Sequence, residues 1–223
     1  MNKCLFVWDF HGVLEKGNVN SVKELINLVL KEFNIDRQLS LKEAKQWYGV
    51  SWFDYFKLAY PAGGRKMWEE MVEKVLSYQG NGWKIVKKHM KPMDHATEVL
   101  SMTKEKGHDN IVLSNTAPDH IKSFVNVLNY SEYFNDLIGV DNHRKSRNRK
   151  DSHMAKGEAL INFLKNKNYQ RIVLIGDKKS DISAGKMCGA KTYLFVGPES
   201  NESPDESGAD CIINDLRDIL KEA

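Results

Sequence analysis

Short runs of consecutive apolar residues recur along the chain, and segments with apolar residues at helical spacing lie between them. The clearest runs cover residues 4–8, 111–113, 172–175 and 192–196. Such continuous runs are typical of strands that are buried on both faces of a parallel sheet. A weaker run covers 136–140, and 211–213 is predicted as a final edge strand. The alternation of strands and helices predicts an α/β fold with a parallel sheet.

Helix signals separate these strands. Thr116 is predicted to cap a helix whose first turn contains Pro118, where the missing amide hydrogen costs nothing. Further helices are predicted over 155–167 and over 180–188, the latter ended by Gly189.

Residues 17–92 contain no convincing strand pattern and are predicted to be all helical. Capping boxes begin at Ser21 and at Ser40, each with a glutamate three residues later. Seven aromatic residues between positions 47 and 60 are expected to form mainly the core of this segment. We therefore predict a core domain from 1–16 and 93–223, and a smaller helical domain from 17–92.

Composition narrows the class of protein. The 223 residues are 41% hydrophobic and 10% aromatic, which suffices for a buried core and excludes global disorder. A net charge of +3 gives the whole chain no strong attraction to nucleic acid or to a membrane. No apolar run approaches the roughly 18 residues of a membrane span, and no signal peptide is recognised. The three cysteines form no disulfide or zinc pattern, so a cytoplasmic location is expected.

Polar side chains follow the predicted strands. Asp9 and His11 follow the first strand, Ser114 and Asn115 end the second, and Asp177 follows a later one. In an open parallel sheet, ligands bind at the carboxyl ends of the strands.

Carboxylates gathered at that edge would repel one another without a cation. Asp181 follows Asp177 by four residues, and Lys156 lies near the start of the helix before that strand. Mg²⁺ binds few carboxylates together with water and phosphate oxygens, so we expect Mg²⁺ and a phosphorylated substrate.

Four segments together resemble the motifs of the haloacid dehalogenase superfamily. They are the stretch 6–13 (FVWDFHGV), Ser114 after its apolar run, the stretch 155–160 (AKGEAL) and the stretch 176–182 (GDKKSDI). The resemblance spans nearly the whole chain. It implies a Rossmann-like three-layer core, and it implies that residues 17–92 are a helical C1-type cap.

The resemblance also implies roles for individual residues. Asp9 would be the nucleophile that forms an aspartyl-phosphate. Asp9, the backbone carbonyl of His11, Asp177 and Asp181 would hold Mg²⁺, with Asp181 acting directly or through water.

The phosphoryl group would be held by the remaining residues. Ser114 and the amide of Asn115 would bind a phosphoryl oxygen, and Lys156 would neutralise charge on Asp9 and on the transferring group. Lys150 is the alternative for the role of Lys156.

His11 departs from the family pattern, because phosphatases of the superfamily usually have a second aspartate there. An imidazole can protonate the leaving group and then activate water, so a phosphatase with His11 as acid and base is the favoured interpretation. A different leaving-group chemistry and a slow or degenerate enzyme are the alternatives. Dehalogenases do not use Mg²⁺, so the complete pair Asp177 and Asp181 argues against dehalogenation.

The sequence thus predicts a Mg²⁺-dependent phosphomonoesterase that acts on a small phosphorylated metabolite. Residues 143–150 contain five arginines or lysines, which leaves open a nucleotide or nucleic-acid phosphatase. A catalytically degenerate binding protein is the non-enzymatic alternative. No pattern indicates an oligomeric state.

Overall fold

The computed structural model describes residues 3–141, 152–200 and 203–223. The described residues form two compact units. One, called here the sheet unit, comprises 3–16, 92–141, 152–200 and 203–223, and the other, the helical unit, comprises 17–91.

The sheet unit is built on six parallel strands. They are β1 Cys4–Trp8, β4 Asp109–Ser114, β5 Asp136–Gly139, β6 Arg171–Gly176, β7 Lys191–Phe195 and β8 Cys211–Ile213. Their order is β5-β4-β1-β6-β7-β8, so β1 lies centrally between β4 and β6. All six predicted strands are therefore present, with ends shifted by at most two residues. Two short strands, β2 Glu15–Lys16 and β3 Lys91–Pro92, pair separately.

Helices cover both faces of this sheet, which makes the predicted three layers. They are α6 Ala96–Glu105, α7 Pro118–Val127, α8 Ser152–Leu164 and α9 Lys179–Met187. Side chains alternate between faces along a strand. Leu5 and Val7 pack in one cluster with Leu160 of α8.

On the opposite face, β1 reaches α6 through a buried polar contact. The Trp8 indole donates to Asn110 Oδ1 at 3.0 Å, and Asn110 in turn donates to Thr103 Oγ1 at 2.9 Å. This pairing satisfies groups that would be costly to bury alone, so it specifies how α6 lies on the sheet.

The helical unit has its own core. Its helices are α1 Asn18–Glu32, α2 Leu41–Gln46, α3 Trp52–Ala59, α4 Gly64–Ser77 and α5 Gln79–His89. Buried residues from α1, α3 and α4 form one apolar cluster. All seven aromatic residues between 47 and 60 belong to or pack against this cluster, as expected from the sequence.

The capping prediction is confirmed at one position. At Ser40, the Glu43 amide donates to Ser40 Oγ and the Ser40 amide donates to Glu43 Oε2, which completes a capping box.

The predicted cap at Ser21 is wrong. Helix α1 begins four residues earlier than such a cap implies, at Asn18 rather than Val22, after Gly17 with φ 94°. Gly17 lies so close to the His89 carbonyl that a Cβ would be 2.2 Å from that oxygen. This left-handed turn starts the helix early, and Ser21 becomes a buried residue inside it.

The predicted cap at Thr116 is also wrong. Helix α7 begins at Pro118, and Ala117 is the residue before it, with extended backbone at φ −61° and ψ 146°. Proline forces the preceding residue out of the helical region, so Ala117 takes the capping position. The Thr116 amide instead donates to Ser114 Oγ in the turn after β4.

Candidate functional site

The candidate site lies at the carboxyl ends of the three central strands. Trp8, the last residue of β1, is in register with Val112 of β4 and with Ile175 of β6. The Asp9 amide donates to the Ile175 carbonyl at 2.9 Å, so the ladder continues one residue beyond the strand. Asp9 and Asp177 therefore follow two neighbouring strands and lie side by side.

Lys156 joins two of the predicted carboxylates. Its ammonium lies 2.5 Å from Asp9 Oδ1 and 2.6 Å from Asp181 Oδ1. Burial by itself would lower the pKa of Lys156, but the charges of Asp181 and Asp9 raise it above the ordinary value. The lysine is therefore charged, and it neutralises part of the negative charge that the site contains.

Asp177 is the least compensated of the three carboxylates. It is buried, and its Oδ2 has no hydrogen-bond partner among the described residues; the ammonium of Lys178 lies 3.8 Å away. Burial raises the pKa of Asp177 well above its usual range, and the charges of Asp9 and Asp181 add to that increase. Burial also raises the pKa of Asp181, against the charge of Lys156.

The three carboxylates fit a divalent cation. Each of Asp9, Asp177 and Asp181 offers an oxygen atom within 4.8 Å of the others. Three buried carboxylates outnumber the one buried ammonium of Lys156, and Asp177 Oδ2 is a buried atom without a hydrogen-bond partner among the described residues. Hard oxygen donors in this arrangement suit Mg²⁺.

Two glycines allow these acidic groups to approach the backbone. A Cβ on Gly176 would lie 2.2 Å from the Asp181 Cβ, and a Cβ on Gly12 would lie 2.6 Å from Asp177 Oδ2. Gly12 also has φ 82°, a conformation that other residues rarely adopt. The glycines of the first and fourth motifs are thus required by close packing around the carboxylates.

His11 has a well-defined environment. Its Nδ1 lies 2.8 Å from Oε1 of Glu15, which is completely buried. The imidazole makes edge contacts with the rings of Phe10 and Phe124, at centroid distances of 5.2 and 4.9 Å. The side chain is 18% exposed, so the ring is held on several sides but reaches solvent.

Ser114 and Asn115 lie at the end of β4, next to β1. Ser114 is buried, and Asn115 Oδ1 is a buried atom with no hydrogen-bond partner in the described part of the chain. Within residues 3–141, neither of these two side chains forms a hydrogen bond with Asp9. The structure therefore brings Asp9, Lys156, Asp177 and Asp181 into direct proximity, and it places Ser114 and Asn115 on the adjacent strand end.

Sequence reasoning missed Glu15 and Phe124. Glu15 is a charged residue directly after the apolar pair Val13 and Leu14, and that position was the only available signal of burial. Two sequence-based hypotheses, the basic segment 143–150 and the alternative lysine Lys150, lie outside the described residues. No helix within the described ranges is long and apolar enough to cross a membrane.

Comparisons with known proteins identify the family of the chain. A model of the family described as haloacid dehalogenase-like hydrolase matches residues 6–195. A phosphoglycolate phosphatase from Aquifex aeolicus is 28% identical over 108 residues, a match that spans 48% of this chain and only 48% of that relative.

Solved structures with the same fold include a predicted phosphoglycolate phosphatase from Haemophilus somnus, with a TM-score of 0.79 at 19% identity, covering 100% of this chain and 98% of the other. A predicted phosphatase from Clostridium acetobutylicum has a TM-score of 0.75 at 16% identity and the same coverage. Such identities establish a shared fold, whereas the family match covers most of the chain and all four motifs. The chain therefore belongs to the haloacid dehalogenase-like hydrolase family of enzymes.

Proposed function

We propose that the protein is a Mg²⁺-dependent phosphomonoesterase that acts on a small phosphorylated metabolite through an aspartyl-phosphate. The observation that carries this proposal is the buried ammonium of Lys156 between Asp9 and Asp181, with Asp177 as a third carboxylate. The name of the Aquifex relative, a phosphatase of a small phosphorylated acid, supports the substrate class.

In the proposed first step, an Asp9 carboxylate oxygen attacks phosphorus and the bond to the ester oxygen breaks. Lys156 holds Asp9 in place and offsets negative charge as the phosphoryl group transfers. His11 donates a proton to the departing ester oxygen. In the second step, water attacks phosphorus of the aspartyl-phosphate and gives a proton to His11. The bond from phosphorus to Asp9 breaks, so phosphate is released and Asp9 is restored.

Asp9, Asp177 and Asp181, together with the backbone carbonyl of His11, would hold Mg²⁺. Bound there, Mg²⁺ would supply positive charge against the phosphoryl oxygens. Ser114 and the Asn115 amide are proposed to bind one of those oxygens, because they lie at the adjacent strand end.

We further propose that the helical unit acts as the cap that selects the substrate. Its chain segment is inserted directly after the strand that carries Asp9, and it has a separate apolar core. A separate core allows its surface to vary without disturbing the sheet unit. A chimera with another relative's helical segment should keep hydrolysing an activated ester but change its preference among metabolites.

The test of the activity is phosphate release from a panel of phosphorylated metabolites, with Mg²⁺ and with a chelator. Asp9→Asn should abolish release, because the nearly isosteric amide is a poor nucleophile, while Asp205→Asn at an exposed position serves as the matched control. Acid-quenched wild-type protein should carry a phosphoryl group by intact mass. Release by Asp9→Asn at the wild-type rate would refute the covalent mechanism.

A further inference from the structure

Glu15 is a buried carboxylate that the catalytic steps above do not use. It has 0% exposed surface, and its Oε1 lies 2.8 Å from His11 Nδ1. The two residues also form a backbone β-bridge, so the contact is supported by main-chain geometry as well as by the side chains. Burying a carboxylate is costly unless it is hydrogen-bonded, and the imidazole supplies one such bond.

We propose that Glu15 is the positioning residue of His11, and that it selects the tautomer in which Nδ1 carries a hydrogen and Nε2 faces the reaction. This inference rests on the proposed function, because it explains how His11 serves as acid and base there. An ionised carboxylate can only accept a hydrogen bond, so a bond to the ionised form of Glu15 places the hydrogen on Nδ1. Nε2 is then the nitrogen that gains and loses the catalytic proton.

Two aromatic rings complete the positioning. The imidazole lies edge-on to Phe10 at an interplanar angle of 87° and to Phe124 at 80°. These contacts restrict rotation of the imidazole about the bond that joins it to Cβ. A ring held by a hydrogen bond on one side and by aromatic walls on others keeps Nε2 in one orientation, which reduces the cost of reaching the reactive geometry.

The proton balance over the cycle is closed. Before the first step, His11 carries hydrogens on both nitrogens, and the Nε2 proton passes to the ester oxygen as its bond to phosphorus breaks. The neutral ring that remains keeps the hydrogen on Nδ1, which still donates to Glu15, and its Nε2 is now unprotonated. That lone pair accepts a proton from the attacking water, and the initial state returns with one alcohol and one phosphate released.

The first test is spectroscopic and needs no turnover. In protein labelled with ¹⁵N-histidine, the chemical shifts of the neutral His11 ring, assigned with His11→Gln, should show hydrogen on Nδ1. Glu15→Gln should change this signal, because an amide can donate to Nδ1 as well as accept from it. Glu222→Gln, a change at another buried glutamate of the sheet unit, should leave it unchanged.

The second test is kinetic. Glu15→Gln should lower kcat about 10- to 100-fold for an alkyl phosphate, by analogy with the loss seen when the hydrogen-bond partner of a metal-bound histidine is removed. It should leave KM nearly unchanged. Formation of the aspartyl-phosphate from a nitrophenyl phosphate, which departs without a proton, should change much less. Glu15→Asp, which keeps the carboxylate, should recover part of the loss and replaces Glu15→Gln if the latter does not fold.

Three outcomes would overturn the inference. The neutral ring of the wild type could carry its hydrogen on Nε2, or Glu15→Gln could leave the His11 signal unchanged. Glu15→Gln could also slow formation of the aspartyl-phosphate equally from the alkyl and the nitrophenyl substrate. A wild-type protein that hydrolyses no phosphate ester would refute the proposed function, and with it the catalytic meaning of the Glu15 contact. The nitrogen shifts would still report the contact itself, so the two failures are distinguishable.

Discussion

Lys156 shows at the scale of one residue how the site balances its charges. Its buried ammonium forms ion pairs with Asp9 and Asp181. Among the described residues, no ion pair brings another cation closer to either carboxylate. A buried group of paired charges contributes little to the free energy of unfolding while all its members are present. The loss of one member leaves the remaining buried charges uncompensated.

Lys156→Met should destabilise the metal-free protein by about 3–5 kcal/mol, because it leaves two carboxylates buried without their partner. Urea unfolding without divalent cations measures the effect. Lys165→Met, at an exposed position just after α8, is the matched control and should change stability little.

A second substitution separates charge from packing. Adding Asp181→Asn to Lys156→Met removes one of the stranded carboxylates, so part of the lost stability should return. A double variant that is as unstable as the sum of both single losses would contradict this electrostatic account.

At the scale of elements, close backbone approach explains why certain turns need glycine. At the end of β5, a Cβ on Gly139 would lie 2.4 Å from the Thr116 carbonyl oxygen, which belongs to the turn before α7. The added Cβ would meet backbone atoms, which cannot move aside as a flexible side chain can. This glycine therefore determines how the turn packs beside the strand end.

Gly139→Ala should therefore destabilise the protein by about 1–3 kcal/mol, the usual cost of overpacking. The control is Gly157→Ala in α8, where the two atoms nearest to the new Cβ would be Sδ and Cε, at the flexible end of the Met187 side chain. Alanine favours helix over glycine by about 1 kcal/mol, so Gly157→Ala should be neutral or stabilising. Thermal unfolding of both variants measures the contrast, and equal losses at both positions would contradict it.

The C-terminal 3₁₀ helix, Leu216–Glu222, is attached to β6 and β7 by one carboxylate. Glu222 Oε1 accepts from Lys191 at 2.7 Å and from Tyr193 at 2.5 Å, and its Oε2 lies 3.2 Å from the Arg171 guanidinium. Burial acts to raise the pKa of Glu222, but the hydrogen bonds from Lys191 and Tyr193 outweigh it and lower the pKa below 4.5.

Glu222→Gln should lower stability near neutral pH by about 1–3 kcal/mol, because a charged acceptor is lost. A depressed folded-state pKa contributes stability above pH 4.5 that is lost as the pH falls through the folded value. The difference between Glu222→Gln and wild type should therefore shrink below about pH 4.5. Unfolding measured across pH 3–7 tests this, with Glu206→Gln as an exposed control. A difference that stays constant or grows on acidification would contradict the assignment.

At the scale of the whole molecule, the cluster of buried carboxylates would link folding to the proposed metal binding. The charged form of Asp177 is disfavoured by burial, so the metal-free fold contains an unfavourable group that a cation would neutralise. A cation that binds only the folded protein stabilises it by about 2.7 kcal/mol at a hundred times its Kd.

Mg²⁺ should therefore raise the Tm of the wild type, and Asp177→Asn should abolish that increase. The same substitution should raise the Tm of the metal-free protein, because it removes a buried charge. Sodium chloride at matched ionic strength controls for screening. An equal Mg²⁺ response in both proteins would contradict the proposed role of Asp177 as a metal ligand.

The order of strands and helices was predictable because the signals are local. The apolar run 4–8 and the capping box at Ser40 depend on residues within a few positions of each other, and both are confirmed. The polar residues at strand ends were also predictable, because parallel strands bring their carboxyl ends to one edge. Asp9 and Asp177 therefore meet as the pattern of strands requires.

The tertiary structure decided what depends on distant packing. Lys156 lies 147 positions from Asp9, and only the placement of α8 beside β1 brings the ammonium to the carboxylate. Ser21 and Thr116 have the residue type of caps, but Gly17 and Pro118 determine where those helices begin. Glutamate is a residue type usually found at the surface, but the turn after β1 buries Glu15 against His11. Hydrophobic periodicity and helix capping are short-range properties of the chain. The burial of a charged group and the identity of its partner depend on segments that meet only in the folded protein.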